Sequence, residues 1–103
     1  MKFRFGGLTR RVDLSDVAFV SRYEQAVEAY ERGVELLDRT LTPSAQLEQV
    51  CDLFFTLFDS LFGADAAKEM FGETKSVALC TEAFSELIRC MNKYVKHLSC
   101  EKR

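Results

Sequence analysis

The chain has little of what most catalytic sites require, since its 103 residues include one histidine, one proline and five glycines. The histidine, His97, stands three residues before Cys100, with no second histidine or close cysteine pair to complete a tetrahedral zinc site. The sequence has no Gly-x-Ser-x-Gly motif, and its glycines lack the spacing of a phosphate-binding loop. We therefore expect no catalytic residue, no metal and no cofactor, and the sequence favours a protein that is not an enzyme.

Long apolar runs are scarce as well. The first four residues begin no apolar run of the length that the core of a signal peptide needs. Later apolar clusters are interrupted by Asp52, Asp59 and Asp65. These features predict an intracellular protein that does not span a membrane.

The cysteines, at positions 51, 80, 90 and 100, include no Cys-x-x-Cys pair. An even number of cysteines suggests disulfides in a secreted protein, whereas a free cysteine inside a cell behaves as a small hydrophobic residue. We expect four reduced thiols that are buried or partly buried.

The net charge of −2 conceals an uneven distribution along the chain. Residues 1–12 carry a charge of +4, residues 13–73 carry −9 and residues 74–103 carry +3. One interpretation is that these charges lie on solvated helix faces, where the basic end of the last helix suits the helix dipole. The other is that oppositely charged ends of two copies meet in a self-assembly.

Residues 1–13 are expected to form a β-hairpin. Polar and apolar residues alternate there on both sides of a Gly-Gly pair, which supplies the positive φ angles of a two-residue turn. Because an isolated hairpin is only marginally stable in water, Phe3, Phe5 and Val12 must pack on the helices or pair with another copy. The interleaved arginines also resemble a nucleic-acid-binding arm, but the acidic segment that follows disfavours this alternative.

The rest of the chain predicts helices in one domain covering residues 1–103. Apolar residues recur at alternating spacings of three and four in two long segments, which is typical of helices that pack lengthwise. Thr42-Pro43 marks a helix start, and Gly63 and Gly72 mark helix ends. We predict a mainly α fold, a bundle of about three long helices and one short helix, with helices over residues 15–41, 43–62, 64–71 and 76–99.

The second helix carries the most apolar surface. Its apolar side chains between Leu47 and Phe62 cover an arc of roughly 200° at 100° per residue. A surface helix needs a stripe only a little wider than about 100°, so this helix must be covered on two sides. It is therefore either the central helix of the core or half of an interface.

Two short motifs in and after this helix have functional alternatives that we disfavour. Asp59-Ser60-Leu61 matches the attachment site of acyl carrier proteins, but there the serine begins a helix, whereas Ser60 is predicted near a helix end. The turn at Gly72 followed by a helix resembles a helix-turn-helix, yet the second helix would place Glu82 and Glu86 near phosphates.

An ordered set of short motifs resembles a family of small proteins encoded in the tail gene clusters of phages and prophages of Gram-positive bacteria, which are regarded as tail assembly chaperones. The motifs are Phe54-Phe55, Asp59-x-Leu61-Phe62-Gly63, Met70-Phe71-Gly72 and Cys80-x-Glu82-Ala83-Phe84, preceded by Arg22-Tyr23-Glu24. The similarity extends from about Asp13 to Asn92. The sequence departs from the pattern at Asp65, where a second glycine is expected.

The resemblance implies a protein that self-associates as a homo-oligomer and binds the long tape-measure protein during tail morphogenesis. Such a protein acts in the cytoplasm of the bacterial host and is absent from the mature virion. The alternative is a small intracellular regulatory or adaptor protein that binds nucleic acid or a host protein. Candidate protein-interaction residues are Phe3, Arg4, Phe5, Tyr23, Val27, Tyr30, Phe54, Phe55, Phe62 and Phe71.

Overall fold

The structure is a computed structural model that describes the backbone of residues 2–101 and the side chains of residues 2–92. These residues form an N-terminal hairpin followed by four helices, so the predicted mainly α fold with a small hairpin is confirmed. The elements in chain order are β1 (Lys2–Phe5), β2 (Leu8–Arg11), α1 (Val17–Glu35), α2 (Pro43–Phe62), α3 (Ala66–Phe71) and α4 (Val77–Glu101).

Helix α1 is shorter than predicted, since it ends at Glu35 rather than at residue 41. The chain turns instead at Asp38, whose carboxylate accepts hydrogen bonds from the amide and the hydroxyl of Thr40, at 2.9 and 2.5 Å. Such a local bond from a side chain to the backbone competes with helical hydrogen bonding. Leu37 and Leu41, which continue the apolar spacing of the helix, are therefore partly buried in the segment that follows α1.

Helix α2 has the predicted bounds because its ends carry strong local signals. The hydroxyl of Thr42 accepts a hydrogen bond from the amide of Ala45, and Pro43 occupies the first turn, where it needs no hydrogen-bond partner for its nitrogen. At the other end, the amide of Gly63 donates to the carbonyl of Asp59 at 2.9 Å. Helices α3 and α4 begin two residues and one residue later than predicted.

The core lies around α2. Its buried residues are Cys51, Phe54, Leu57, Phe58 and Leu61. Helix α4 covers them from one side through the buried residues Cys80, Ala83 and Leu87, and the hairpin contributes Phe3 and Leu8, both 0% exposed. The wide apolar arc of α2 therefore mostly faces the core of one chain, which favours the first of the two interpretations of this helix.

The hairpin packs against α3 and α4 through close backbone contacts. The amide of Gly7 donates to the carbonyl of Glu69 at 3.1 Å, and Arg10 forms an ion pair with the Glu69 side chain at 3.0 Å. Gly6 has a φ of +58°, and a β-carbon there would overlap the carbonyl oxygen of Met70. The Gly-Gly pair thus supplies both the turn and the space in which the hairpin meets α3.

Candidate protein-binding surface

Three of the predicted interaction residues lie in the core and have no free surface for a partner. Phe3, Phe54 and Phe71 are 0%, 5% and 7% exposed. The ring of Phe3 stacks on that of Phe62 with centroids 5.0 Å apart, and the ring of Phe54 lies 6.5 Å from that of Phe58. The prediction that these side chains contact a partner is corrected by this packing, because aromatic rings at these distances stabilise each other inside the fold.

The other predicted apolar candidates are half-buried against this core, in two groups. Phe5 and Phe55 both pack on Phe71, at 5.6 and 5.4 Å between ring centroids. On α1 the corresponding residues are Tyr23, Val27 and Tyr30. Tyr30 lies 4.5 Å from the ring of Phe54, and burial raises the pKa of both tyrosines. Phe62 is half-buried as well, so of the ten candidates only Arg4 is exposed.

An open groove runs between α1 and α2, and we call it the α1–α2 groove. Its two wider parts, of about 320 and 250 Å³, are joined by a narrow part that shares Ala26, Ala29 and Ser60 with one of them and Leu53 with the other. The α1 wall includes the small residues Ala26, Ala29 and Gly33 beside the larger Arg22, Gln25 and Tyr30. A β-carbon at Gly33 would overlap the Leu53 side chain. The groove is therefore shallow, with an apolar floor.

The wider part near the end of α1 carries the most exposed apolar residue of the groove. Leu36 is 78% exposed and lies beside Leu37 and Leu53. Sequence reasoning missed this site because it extended the first helix to residue 41 and so placed Leu36 in the interior of that helix, whereas α1 ends at Glu35. The signal in the sequence that indicates this site is the Leu36-Leu37 pair directly before Asp38. Because the helix ends there, no following helical turn covers Leu36.

Charged residues border the same end of the groove. Lys75 forms ion pairs with Glu48 at 3.4 Å and with Asp52 at 3.3 Å, and Asp52 also lines the groove. The hydrogen bond to Asp52 is the main cause of the raised pKa of Lys75. All three side chains are well exposed, so this network contributes little to stability and leaves a polar rim beside an apolar floor.

The thiols lie away from this groove. Cys51 on α2 and Cys80 on α4 are buried neighbours, and burial together with the adjacent Cys51 raises the pKa of Cys80 to about 12. Cys90 is also buried, and its sulfur lies 4.0 Å from the carbonyl oxygen of Lys2. These three cysteines are free thiols, whereas Cys100 lies outside the described side chains. A thiol with so high a pKa is protonated at neutral pH and is a poor nucleophile.

The Asp59-Ser60-Leu61 motif lies in the last turn of α2, where its residues have structural contacts or solvent exposure. The carboxylate of Asp59 accepts a hydrogen bond from the amide of Ala67 at 2.9 Å, which ties the end of α2 to the first turn of α3. Leu61 is buried, and Ser60 is exposed in the last turn of α2. The serine of an acyl carrier begins a helix, so the position of Ser60 differs from that arrangement. Among the described residues, no group of three or more His, Cys, Asp or Glu side chains is arranged to hold a metal ion.

The fold and this surface define a small, mainly helical protein with an N-terminal hairpin and an apolar groove between its first two helices. Residues 6–101 match the sequence model of a family of unknown function, DUF6673, and the chain belongs to this family. No curated protein and no solved structure matches the chain. In the described part of the chain, no helix has the length and apolar character needed to cross a membrane.

Proposed function

We propose that this protein is a noncatalytic tail assembly chaperone of a phage or prophage of Gram-positive bacteria, which self-associates and binds the tape-measure protein during tail morphogenesis. It would act in the cytoplasm of the host cell and be absent from the mature virion. The biological setting rests on the ordered motifs from Arg22 to Phe84 that resemble that family. The physical basis for binding a client is the α1–α2 groove.

The groove suits an amphipathic helix. From Arg22 to Leu36 it follows α1 for about 21 Å at 1.5 Å per residue, which is roughly four helical turns. Among the small residues on α1, the exposed Ala29 allows the axis of a third helix to approach closely. Helix-in-groove recognition uses apolar anchors at helical spacing, and Leu36, Leu37 and Leu53 form an apolar patch that receives such an anchor.

The polar rim suits the same interpretation. Asp52 and Glu48 hold Lys75 in exposed ion pairs that cost little to rearrange. A client helix with apolar residues on one face and mixed charges on the other contacts both the floor and the rim. A tape-measure protein is a long helical client, and its transient apolar faces are the surfaces that a chaperone must cover while the tail tube polymerises.

The test is co-expression with the tape-measure protein encoded in the same gene cluster, followed by copurification on a tag carried by the chaperone. Leu36→Ser removes an apolar side chain that is 78% exposed in the groove, and Val17→Ser removes one that is 80% exposed at the start of α1. We expect Leu36→Ser to reduce the recovered client at least severalfold and Val17→Ser to leave it near the wild-type level. Equal recovery with both variants places the client elsewhere, and no recovery with wild type contradicts the proposed function.

A further inference from the structure

The hairpin has a second face, which points away from the core. In the strand register Lys2 lies opposite Arg11 and Arg4 lies opposite Thr9, so these four side chains share one side of the sheet. All four are exposed, whereas Phe3 and Leu8 on the opposite side are buried. Among the residues with described side chains, none of these three cations is in an ion pair. We call this patch of three positive charges the hairpin outer face.

Helix α1 presents the opposite charge. At 100° per residue its four glutamates fall within an arc of about 60°, and all are exposed. They are Glu24, Glu28, Glu31 and Glu35. Glu28 pairs with Arg32 at 2.9 Å, while the other three form no ion pair within the described part of the chain. We call this row, which extends for roughly 17 Å along the helix, the acidic stripe.

We infer that the hairpin outer face docks on the acidic stripe of a second copy of this chain. Alternate residues of a strand are about 7 Å apart, and residues four apart on a helix are about 6 Å apart, so Lys2 and Arg4 match the repeat of the stripe. The inference rests on the proposed function, because that function requires self-association. The inference adds the identity of the two surfaces that meet. They are two different surfaces of the chain, so the contact is heterologous.

A second copy fits the hairpin outer face better than a nucleic acid does. Proteins that bind DNA through phosphates at physiological salt make roughly six to ten such contacts, and the hairpin outer face offers three cations on a chain with a net charge of −2. A second copy supplies a row of carboxylates with a matching repeat, at a concentration equal to that of the hairpin. Half-exposed valines at positions 20 and 27, beside the stripe, add apolar contact.

Two surface variants isolate the two faces, because deletion of the hairpin would also remove the buried Phe3 and Leu8. The hairpin-neutral variant carries Lys2→Thr, Arg4→Thr and Arg11→Thr, which keep strand-forming residues. The stripe-neutral variant carries Glu24→Gln, Glu31→Gln and Glu35→Gln and leaves the paired Glu28 unchanged. Arg4→Thr and Arg39→Thr form a matched pair of single changes, since Arg39 is exposed in the segment between α1 and α2.

Self-association is measured by sedimentation velocity at about 0.1 M and about 1 M salt, where the Debye length falls from about 10 Å to about 3 Å. We expect wild type to associate at the lower salt and to weaken at the higher. Each neutral variant alone should associate at least about tenfold more weakly, as expected when several exposed ion pairs are lost. Arg4→Thr should weaken association, and Arg39→Thr should not.

An equimolar mixture of the two neutral variants is the decisive sample. The hairpin-neutral variant keeps its stripe and the stripe-neutral variant keeps its hairpin outer face, so the mixture retains one complete contact and should form a 1:1 complex. If either neutral variant associates as strongly as wild type, or if the mixture stays monomeric, this contact is overturned while self-association remains. Wild type that is monomeric in both salts overturns self-association as well. A short DNA duplex that binds wild type but not the hairpin-neutral variant assigns the face to nucleic acid and overturns the inference.

Discussion

The two ends of helix α2 differ in what covers them. Near its C-terminal end, Phe58 and Leu61 are 0% and 5% exposed beneath the hairpin and α3. Near its N-terminal end, Leu47 is 55% exposed, and the part of the α1–α2 groove lined by Leu36 and Gln49 is open. The apolar residues of α2 are concentrated in its C-terminal half, where four of its five buried residues lie, so the sequence of α2 and the elements that meet each end both contribute to the difference.

The hairpin covers one end of the core. It buries Phe3 and Leu8 completely and brings Phe5 onto Phe71. At the other end the chain turns away at Asp38 before α1 can cover the start of α2. One end of the protein is therefore built for stability, and the other keeps apolar surface available for a partner.

The largest expected effect is at the covered end. Phe58→Ala removes a ring that is 0% exposed and contacts the rings of Phe3, Phe54 and Phe71. Truncation of a buried phenylalanine costs about 3 to 5 kcal/mol, a large share of the roughly 5 to 15 kcal/mol by which domains are stable. We expect a corresponding loss in the free energy of unfolding, measured by urea denaturation. A loss below about 1 kcal/mol would mean that this end is not the stability core.

The next effect tests whether the hairpin closes that end. Gly6 and Gly72 have similar φ values, +58° and +63°, but a β-carbon at Gly6 would overlap the carbonyl of Met70 whereas one at Gly72 has open space. Gly72→Ala should cost about 1 to 3 kcal/mol from the backbone alone, because a φ of +63° with a ψ of −127° is a conformation that residues with a β-carbon rarely adopt. Gly6→Ala should cost more because the hairpin must also move away from α3. Equal losses in the two variants, measured by urea denaturation, would contradict the close docking.

A pH effect tests burial between α2 and α4. The pKa of the Cys80 thiol is raised from 9.0 to about 12, chiefly by burial, so above pH 9 the unfolded chain loses a proton that the folded chain keeps. The stability that this thiol contributes is fully present below pH 9 and is lost as the pH rises towards 12, by up to about 1.4 kcal/mol per pH unit.

The control for this effect is Cys80→Ala, which removes the titrating group. Tyr23 has a raised pKa through burial alone and is present in both proteins, so its contribution cancels in the difference. The pKa of Tyr30 is raised chiefly by burial, which is common to both proteins, and to a smaller extent by Cys80, and this smaller part is removed together with the thiol. Urea unfolding at pH 8 to 10 should show wild type losing stability faster than Cys80→Ala. Parallel pH profiles would show that the thiol is accessible to solvent in the folded state.

Element boundaries that have strong local signals were predictable from the sequence at both ends of the molecule. The Gly-Gly turn, the Thr42 cap, Pro43 and Gly63 are local signals, and each determines an element boundary through its own backbone chemistry. Even the departure at Asp65 has a local meaning, since Asp65 adopts a left-handed φ of 71°, the conformation that favours glycine.

The end of α1 and the burial of the aromatic candidates were less predictable. The apolar spacing from Tyr23 to Leu41 is that of one continuous helix, and only the competing bonds of Asp38 to Thr40 end it at Glu35. Burial was also misjudged for the aromatic candidates. An aromatic residue at helical spacing packs equally well in a core or at an interface, and the location of the hairpin decides between the two. That location depends on contacts between residues about 60 positions apart, such as Gly7 with Glu69.

The smallest expected effect is at the open end. Leu47→Ala removes a large apolar side chain from the same helix as Phe58, but the side chain is 55% exposed and lies in the first turns of α2. Little apolar surface returns to water on unfolding, and alanine has a slightly higher helix propensity than leucine. We expect a loss of less than about 1 kcal/mol in urea denaturation, at least 2 kcal/mol smaller than that of Phe58→Ala. A loss comparable to that of Phe58→Ala would mean that Leu47 is covered in solution, by a second copy if the loss disappears on dilution and by its own chain if it does not.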